Sequence, residues 1–252
     1  MELKLDLHVH GRRSPDSLLG VHETAALCRK RGIDGFALCD HDVSYVGDTE
    51  LDGTLIIPGI EISTNRGHLL GLFIKNRVEP TYDFHDAVLR IRSAGGIAVL
   101  AHPYQKKKLT KAEIDSRLET ISGELDGIEV FNSRAENSRD NANAYALEAA
   151  DRLGLPRFAG SDAHLAAEVG GAYVKLEVSD RSQEAVKAAL LENRAEIVGR
   201  LSDPVNTAKS QRIKLEKQGA GIYAYAKNFL YTIKCVLRRA EINKRTSKRG
   251  VL

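Results

Sequence analysis

The segment DLHVHGRRSPD, residues 6–16, places two histidines one residue apart near the end of the first apolar run of the chain. Side chains at positions i and i+2 point to the same side of an extended strand, so one ion can accept both His8 and His10. Asp16 follows six positions after His10. Neutral imidazole and carboxylate together suit Zn, Mn or Fe without any cysteine sulfur. The segment therefore predicts metal ligands at the end of the first strand.

Around this segment, short apolar runs alternate with amphipathic segments as far as residue 200. The predicted strands are KLDLHV, DGFALC, TLIIPG, HLLGLFI, GIAVLAH, DGIEVF, PRFAG and AYVKLEV. The predicted helices cover residues 22–32, 82–95, 111–121, 136–154 and 182–192. Repeated alternation of strand and helix is typical of an α/β fold with parallel strands inside and helices outside, either a barrel or an open sheet.

Imidazole and carboxylate side chains recur at the boundaries of these strands. In a parallel α/β barrel the carboxyl ends of the strands lie on one face, where residues far apart in sequence meet in one cleft. A single zinc ion usually takes four ligands, so a larger set indicates more than one ion. Two ions about 3.5–4 Å apart can hold the attacking and departing oxygens of a displacement. The candidates at strand boundaries are His8, His10, Asp40, His41, Asp42, Glu61, His68, His102, Glu129, Asp162 and His164.

The order HVH, SPD, ALCDHD, GIEIS, GHLLGL, AHP, GIEVFN and GSDAH resembles the PHP (polymerase and histidinol phosphatase) superfamily from residue 4 to about 200. The resemblance implies a distorted seven-stranded β/α barrel with a trinuclear centre of Mn, Zn or Fe that hydrolyses phosphoesters. By motif, the first ion would be bound by His8, His10, Glu61 and Asp162. Glu61 would bridge to a second ion bound by His68 and His102. The third ion would be bound by Asp16, His41 and His164.

Three further residues are candidates for catalysis beside these ligands. Asp40 and Glu129 resemble residues that neighbour the ligands in the family motifs. We expect them to contact the ligands rather than the ions. Arg134 follows the GIEVFN strand and has the geometry to clamp a phosphate with two hydrogen bonds. The alternative interpretation of Arg134 is an exposed arginine at the start of a helix, and the same two alternatives apply to Arg12 and Arg13.

The expected reaction is hydrolysis of a phosphomonoester or phosphodiester by metal-activated water, on a nucleotide or a nucleic-acid end. Glu61 and His102 are 41 positions apart, which leaves room for a strand and a helix but not for an inserted lid over a nucleotide. Two alternatives remain open. One is a small-molecule phosphatase of the histidinol phosphate type, and the other is a non-catalytic, metal-bearing module that binds through its tail. The complete set of predicted ligands favours an enzyme.

Charge divides the chain in two. Residues 205–252 hold 12 Lys/Arg and 2 Asp/Glu, whereas residues 1–204 hold 25 Lys/Arg and 32 Asp/Glu. We therefore expect a metallo-phosphoesterase domain at 1–204 and a basic linker with a helical tail at 205–252. In the tail, apolar residues recur at helical spacing at positions 222, 226, 229, 233, 236 and 240. The tail is compatible with nucleic-acid binding, with an anionic membrane surface, or with packing on the barrel or on a second subunit of a homo-oligomer.

Cysteine usage indicates a reducing compartment. The three cysteines, Cys28, Cys39 and Cys235, are odd in number and widely spaced, which favours free thiols over a disulfide framework. No run of about 18 apolar residues occurs, and MELKLDLHVH lacks the layout of a secretory signal. The sequence therefore predicts a cytoplasmic location.

Overall fold

The computed structural model describes residues 1–106 and 108–249 of the chain. Its strands are β1 (Glu2–Val9), β2 (Gly35–Leu38), β3 (Glu50–Leu51), β4 (Thr54–Thr64), β5 (Gly67–Leu72), β6 (Ile97–Leu100), β7 (Gly127–Asn132), β8 (Arg157–Gly160), β9 (Ala172–Glu177) and β10 (Glu196–Gly199). Its α-helices are α1 (Val21–Lys30), α2 (Phe84–Ser93), α3 (Lys111–Ile121), α4 (Ala142–Leu153), α5 (Gln183–Leu191), α6 (Pro204–Lys217) and α7 (Ile222–Arg249). Single turns of 3-10 helix lie at Ser122–Glu124 and Ala135–Asn137.

Seven of the strands form a nearly closed barrel, as the sequence predicted. Their order is β1, β2, β4, β5, β6, β7 and β8, and β5 alone among them runs against its neighbours. The ring closes where the loop after β8 pairs with the end of β1: His10 N lies 2.9 Å from Ala163 O, and Asp162 N lies 2.8 Å from His8 O. Strands β9 and β10 extend the sheet from the first half of β1, and β3 pairs with β4.

The barrel strands are buried on both faces because helices cover their outer side. Strands β2 and β6 contain no exposed residue, which is typical of parallel strands enclosed in an α/β fold. Buried apolar side chains join α2, α3 and α4 to β4–β7, and another cluster joins α5 and β9 to β1 and β2. Gly32, Gly95 and Gly154 follow α1, α2 and α4 with positive φ, so the predicted helix ends are confirmed.

The segment that the sequence suggested as a linker is helix α6. Pro204 occupies its first turn, where the missing N–H costs nothing. At the other end of α6, the ammonium group of Lys217 donates hydrogen bonds to the carbonyls of Arg12, Ser14 and Ser17, at 2.8, 2.7 and 2.6 Å. The basic region is therefore in direct contact with the loop that follows β1 and carries Asp16.

Helix α7 packs against α6, and its 28 residues form the longest helix of the described chain. Within the described residues, no helix combines the length and the apolar character needed to cross a bilayer.

Candidate metal centre

The nine predicted ligands meet at one end of the barrel. His8 lies in β1 and Glu61 in β4. His68 lies at the beginning of β5, and because β5 runs against the other strands, its beginning lies where they end. The other six follow strand ends in loops: His10 and Asp16 after β1, His41 after β2, His102 after β6, and Asp162 and His164 after β8.

The first group of predicted ligands is closely spaced. His10 Nε2 lies 3.1 Å from His8 Nε2, 3.2 Å from Asp162 Oδ1 and 3.4 Å from Glu61 Oε2. His8 Nε2 lies 3.7 Å from Asp162 Oδ1 and 3.7 Å from Glu61 Oε1. Ligand atoms around a tetrahedral ion with bonds of about 2.1 Å are separated by about 3.4 Å. His8, His10 and Asp162 are therefore close enough to share one ion, and Glu61 approaches His8 and His10 through different oxygens.

Glu61 connects this group to the second. Its Oε1 lies 2.8 Å from His68 Nδ1 and 3.0 Å from His102 Nε2. Its Oε2 lies 2.7 Å from His41 Nδ1. The carboxylate thus stands between the three predicted groups, which is the position that a bridging ligand requires.

The third group is Asp16, His41 and His164. Asp16 Oδ1 lies 3.4 Å from His164 Nε2 and 3.8 Å from His41 Nε2. The ring of His164 also stacks on that of His10, with centroids 4.0 Å apart. The third group is therefore in direct contact with the first group.

Two carboxylate oxygens in the cluster are buried without a hydrogen-bond partner in the described part of the chain: Glu61 Oε2 and Asp16 Oδ1. The nitrogen of His41 is close to Glu61 Oε2 but is not directed for a hydrogen bond. A buried anionic oxygen without a donor is costly, and a cation beside it removes the cost. Both oxygens belong to predicted ligands, so the side chains present fit divalent ions.

The charge states also suit metal binding. Burial raises the pKa of Glu61 and of Asp162, but the surrounding imidazoles outweigh it and hold both pKa values well below the usual range. Burial and two neighbouring histidines lower the pKa of His10 well below its ordinary value. The two carboxylates are therefore ionised and His10 is neutral, with a lone pair available. Burial lowers the pKa values of His8, His41 and His102, but the neighbouring carboxylates outweigh it and raise all three, so an ion bound by these imidazoles would replace their protons.

Glu129 fixes the orientation of two ligands rather than facing the cleft. Its Oε1 lies 2.9 Å from His8 Nδ1, and its Oε2 accepts from the backbone N–H of His102 at 2.9 Å and from Asn132 Nδ2 at 3.0 Å. With Nδ1–H donating to this carboxylate, an ion bound at Nε2 of His8 would take the place of the second ring proton. These contacts favour a positioning role for Glu129, although His8, His102 and Glu129 also form a group that could hold an ion.

Replacing Glu129 with glutamine is expected to weaken metal binding about 10- to 100-fold, because one of its two histidine contacts loses its acceptor. Activity should recover at high Mn²⁺, which a general loss of structure would not allow. Titrations of turnover against Mn²⁺ measure the shift. Glu124→Gln is the matched control, since Glu124 contacts His85 Nδ1 at 2.7 Å on the surface. Equal metal titrations for the wild type and Glu129→Gln would remove the positioning role.

Asp40 acts through a residue that the sequence analysis did not single out, Ser14. The Ser14 hydroxyl donates to Asp40 Oδ1 at 2.7 Å and lies 3.0 Å from both His10 Nδ1 and the backbone nitrogen of His41. Because its proton goes to Asp40, its oxygen accepts from His10. Asp40 is therefore also a positioning residue, and the only sequence signal for Ser14 is its place in the SPD motif.

Arg134 does not clamp a phosphate in this structure, nor is it an exposed arginine. Its guanidinium donates to the two carboxylate oxygens of Glu168 at 2.8 and 2.5 Å and to Ser210 Oγ at 3.2 Å, and only 5% of the residue is exposed. Glu168 also accepts from the backbone N–H of His164 at 3.1 Å. Arg134 thus joins the loop of His164 to helix α6. Glu168 was not among the predicted site residues. The sequence offers only one indication of its role, its position four residues after His164.

The arginines of the loop after β1 are both exposed. Arg13 donates to the carbonyl of Ser44 at 3.2 Å, and the guanidinium of Arg12 lies against Gly20, where a Cβ atom would come within 2.5 Å of it. Exposure agrees with the second of the two alternatives, and phosphate binding by Arg12 and Arg13 stays a prediction.

Three residues at the cluster adopt a left-handed backbone conformation that side chains other than glycine rarely accept. They are Asp42, His102 and Asp162, with φ of 54°, 28° and 54°. Such strain persists where the surroundings impose it, and it concentrates at functional sites. Two of the three are predicted ligands.

A cavity of about 940 Å³ opens beside the second group. Its wall includes His68, His102, the hairpin between β4 and β5, the loop after β6, and residues of α7. Five of its cationic lining residues make no side-chain hydrogen bond or ion pair with any described residue: Arg66, Lys106, Lys108, Arg117 and Lys234. No aspartate or glutamate is among the described residues that line it. The cavity is therefore positively charged.

Comparisons with known proteins agree with this architecture. Residues 140–195 match the family model described as PHP-associated. An uncharacterized protein of Methanocaldococcus jannaschii is 35% identical over 176 residues, which cover 69% of this chain and 70% of the relative. A protein named probable phosphatase, from Shewanella sp. strain ANA-3, is 25% identical, with 68% of this chain and 80% of the relative covered.

Solved structures share the fold. A two-domain protein from Bacteroides vulgatus that contains a predicted PHP-like metal-dependent phosphoesterase superposes with a TM-score of 0.60 at 20% identity, covering 86% of this chain and 70% of that one. The lesion-specific endonuclease Q of Pyrococcus furiosus superposes with a TM-score of 0.57 at 17% identity, covering 78% and 58%. The motif order, the matched relatives and the common barrel lead to one conclusion: the chain belongs to the PHP superfamily of metal-dependent phosphoesterases.

Proposed function

We propose that the chain hydrolyses a phosphate ester of a nucleotide or of a nucleic-acid end, with divalent ions as cofactors. The observation that carries this proposal is the convergence of nine imidazole and carboxylate side chains at one end of the barrel, where two of the carboxylate oxygens are buried without a hydrogen-bond partner among the described residues. A structural metal site would need four ligands rather than nine. This surplus of ligands is the reason to prefer an enzyme over a non-catalytic module.

The ligand assignment follows the three groups. His8, His10, Glu61 and Asp162 would hold one ion, Glu61 with His68 and His102 a second, and Asp16 with His41 and His164 a third. Manganese, zinc and iron all suit this donor set. Bound ions supply two effects, a lowered pKa of water and compensation of the charge on the phosphoryl oxygens.

The other residues of the site hold the ligands in place. We expect Glu129 and Ser14 to accept the Nδ1 protons of His8 and His10, which would leave both Nε2 atoms available to an ion. Lys217 fastens the loop that carries Asp16. This preorganisation matters because a ligand displaced by a fraction of an ångström loses much of its effect.

The cavity supports a substrate with several negative charges. Its volume of about 940 Å³ is larger than one phosphate needs and lies within the range of sites for nucleotide-sized ligands. Five cations on its wall without an ion pair among the described residues would attract a sugar–phosphate chain or a second phosphate group. The endonuclease Q likeness agrees with a nucleic-acid substrate, and the phosphatase name of the Shewanella relative agrees with the second candidate, a small-molecule phosphatase.

An activity panel tests the proposal. Purified protein with Mn²⁺ is expected to release p-nitrophenol from p-nitrophenyl phosphate, and to act faster on nucleoside bisphosphates or 5′-phosphorylated RNA than on histidinol phosphate. A preference for histidinol phosphate would select the small-molecule alternative. Failure to release phosphate from any of these esters with Mn²⁺, Zn²⁺ or Fe²⁺ would contradict the proposed function.

Reversing charge on the cavity wall is expected to weaken binding of the longer substrate. Arg66→Glu combined with Lys234→Glu should raise the KM for a 5′-phosphorylated oligonucleotide roughly tenfold at low salt, and less for p-nitrophenyl phosphate. The effect should shrink as the salt concentration rises, because counterions screen exposed charges. Lys30→Glu on α1 is the control for a lysine outside the cavity. An unchanged KM would show that the substrate does not cross this wall.

We also assign the protein to the cytoplasm. The thiols of Cys28, Cys39 and Cys235 are free and buried, which agrees with a reducing compartment. Detection of the protein in a cell fraction other than cytosol or the cytoplasmic membrane face would contradict this assignment.

A further inference from the structure

Helix α7 turns its apolar side away from the protein. Large apolar side chains along it are exposed over much of their surface: Ile222 at 88%, Phe229 at 66%, Leu230 at 60%, Ile233 at 44%, Val236 at 41% and Leu237 at 62%. We call these six residues the α7 stripe. Positions 222, 229, 233, 236 and 237 recur at intervals of three, four or seven, so they share one face of the helix.

The opposite face of α7 holds the helix on the protein, largely through polar groups. Asn228 Nδ2 donates to the carbonyl of Ala208 at 3.1 Å, and Arg238 donates to the carbonyl of Glu136 at 2.7 Å. Cys235 is buried on this side with 5% exposed. An amphipathic helix normally buries its apolar face. Here the contacts to α6 and to the barrel are already made, so nothing within the described residues covers the stripe.

The charge of residues 219–252 indicates which kind of partner the α7 stripe would bind. Residues 219–252 contain eight Lys/Arg and one Asp/Glu, a net charge of +7. A second copy of the chain docked through the same stripe would bring two such segments together, and like charges repel. A surface with negative charges around an apolar layer is complementary to the positive charge of this region and to the exposed apolar α7 stripe. A bilayer with anionic lipid headgroups is such a surface.

We propose that α7 is a membrane-docking helix that lies in the interface of an anionic bilayer, with the α7 stripe in the acyl boundary and Lys227 at the headgroups. From residue 222 to residue 240 the helix is about 27 Å long, enough for a stripe that lies along the surface. Lys227 is exposed three residues before Leu230, whereas Arg238 and Arg239 pair with Asp140 and Asp203. The proposal does not depend on the phosphoesterase reaction.

Vesicle flotation of the full chain tests the proposal. At low salt the protein is expected to float with vesicles of phosphatidylcholine and phosphatidylglycerol in equal parts, and much less with phosphatidylcholine alone. Leu237→Glu should reduce the floated fraction about tenfold or more, since burying one leucine contributes about 1.5–3 kcal/mol. Leu89→Glu is the matched control, because Leu89 is a leucine on α2 with 64% exposed. Circular dichroism and turnover of p-nitrophenyl phosphate should be the same in both variants.

Three results would overturn membrane docking. The first is an absence of flotation with mixed vesicles. The second is equal flotation of Leu237→Glu and the wild type, which would leave charge alone as the cause. The third is a wild-type dimer in light scattering that Leu237→Glu dissociates, because the stripe would then belong to a second copy of the chain. Turnover is measured separately, so loss of the proposed function would not be mistaken for any of these.

Discussion

Replacing Glu61 with glutamine is expected to lower turnover by about 10³-fold while the protein stays folded. Glu61 contacts histidines of all three ligand groups. A neutral amide cannot bridge two cations, and the stabilisation that metal ions give a phosphoryl transition state is several kcal/mol. At about 1.4 kcal/mol per factor of ten, this loss corresponds to the expected drop. Steady-state kinetics with saturating Mn²⁺ measure it.

Asp42→Asn is the matched control for Glu61→Gln. Asp42 is a carboxylate next to His41, but it accepts from the backbone N–H of Ser63 at 2.9 Å and is not among the predicted ligands. Asparagine tolerates the positive φ of this position, so the loop should keep its shape. Asp42→Asn should therefore stay within a few fold of the wild type. Near-normal turnover in Glu61→Gln would refute the bridging role.

Removing the metal is expected to lower the melting temperature by about 10 °C. Ions that bind the folded state but not the unfolded one stabilise it by about 4 kcal/mol when their concentration is 1,000 times Kd. For a chain of this size, 1 kcal/mol shifts the melting temperature by about 2–4 °C. The buried oxygens of Glu61 and Asp16 would lose their partner without the ion. Differential scanning calorimetry before and after treatment with a chelator measures the shift.

Treatment with a chelator should lower the melting temperature of His10→Ala much less than that of the wild type. His10 lies at the junction of the first and third groups, so the variant should bind fewer ions before the treatment. Restoring Mn²⁺ to the chelated wild type should restore its melting temperature. A wild-type melting curve that is the same with and without chelator would mean that the histidine cluster does not hold ions in the folded protein.

The α/β class could be predicted because it follows from a regular pattern, the alternation of strands and helices, which is compatible with a barrel or an open sheet. The seven-stranded barrel and the assignment of the nine candidate ligands came from the resemblance of the motifs to the PHP superfamily. His8 and His10 illustrate the simplest rule, since alternate residues of a strand share a side. His68 was predicted from its motif, but the pattern could not show that β5 runs against the other strands. That reversal brings the beginning of β5 to the functional face.

The roles of Ser14, Glu168 and Arg134 could not be predicted, for one physical reason. Each depends on hydrogen bonds between loops that are distant in sequence, such as the pair of Arg134 with Glu168 and its bond to Ser210 in α6. Propensity and periodicity report on neighbours along the chain, not on such contacts. The sequence leaves two alternatives open for Arg134, a phosphate clamp or an exposed arginine at the start of a helix, whereas in the structure the side chain is buried and pairs with Glu168.

For the helices of the tail, too, the sequence pattern could not predict which parts of the protein they contact. Composition suggested a linker before residue 219, yet Lys217 finds three carbonyl acceptors and α6 lies against the loop of Asp16. Helical spacing predicted that α7 has an apolar side, but it could not show whether that side packs against the protein or faces solvent. In the structure that side faces solvent, and the opposite side contributes to the cavity beside His68 and His102.

Elemental analysis of the purified protein tests most directly whether the nine side chains hold a cluster of cations. Wild-type protein dialysed against metal-free buffer is expected to retain transition metal, up to three ions per chain, and Glu61→Gln should retain fewer. Asp42→Asn should match the wild type. A wild-type protein that carries no manganese, zinc or iron, even after incubation with each ion, would contradict the account.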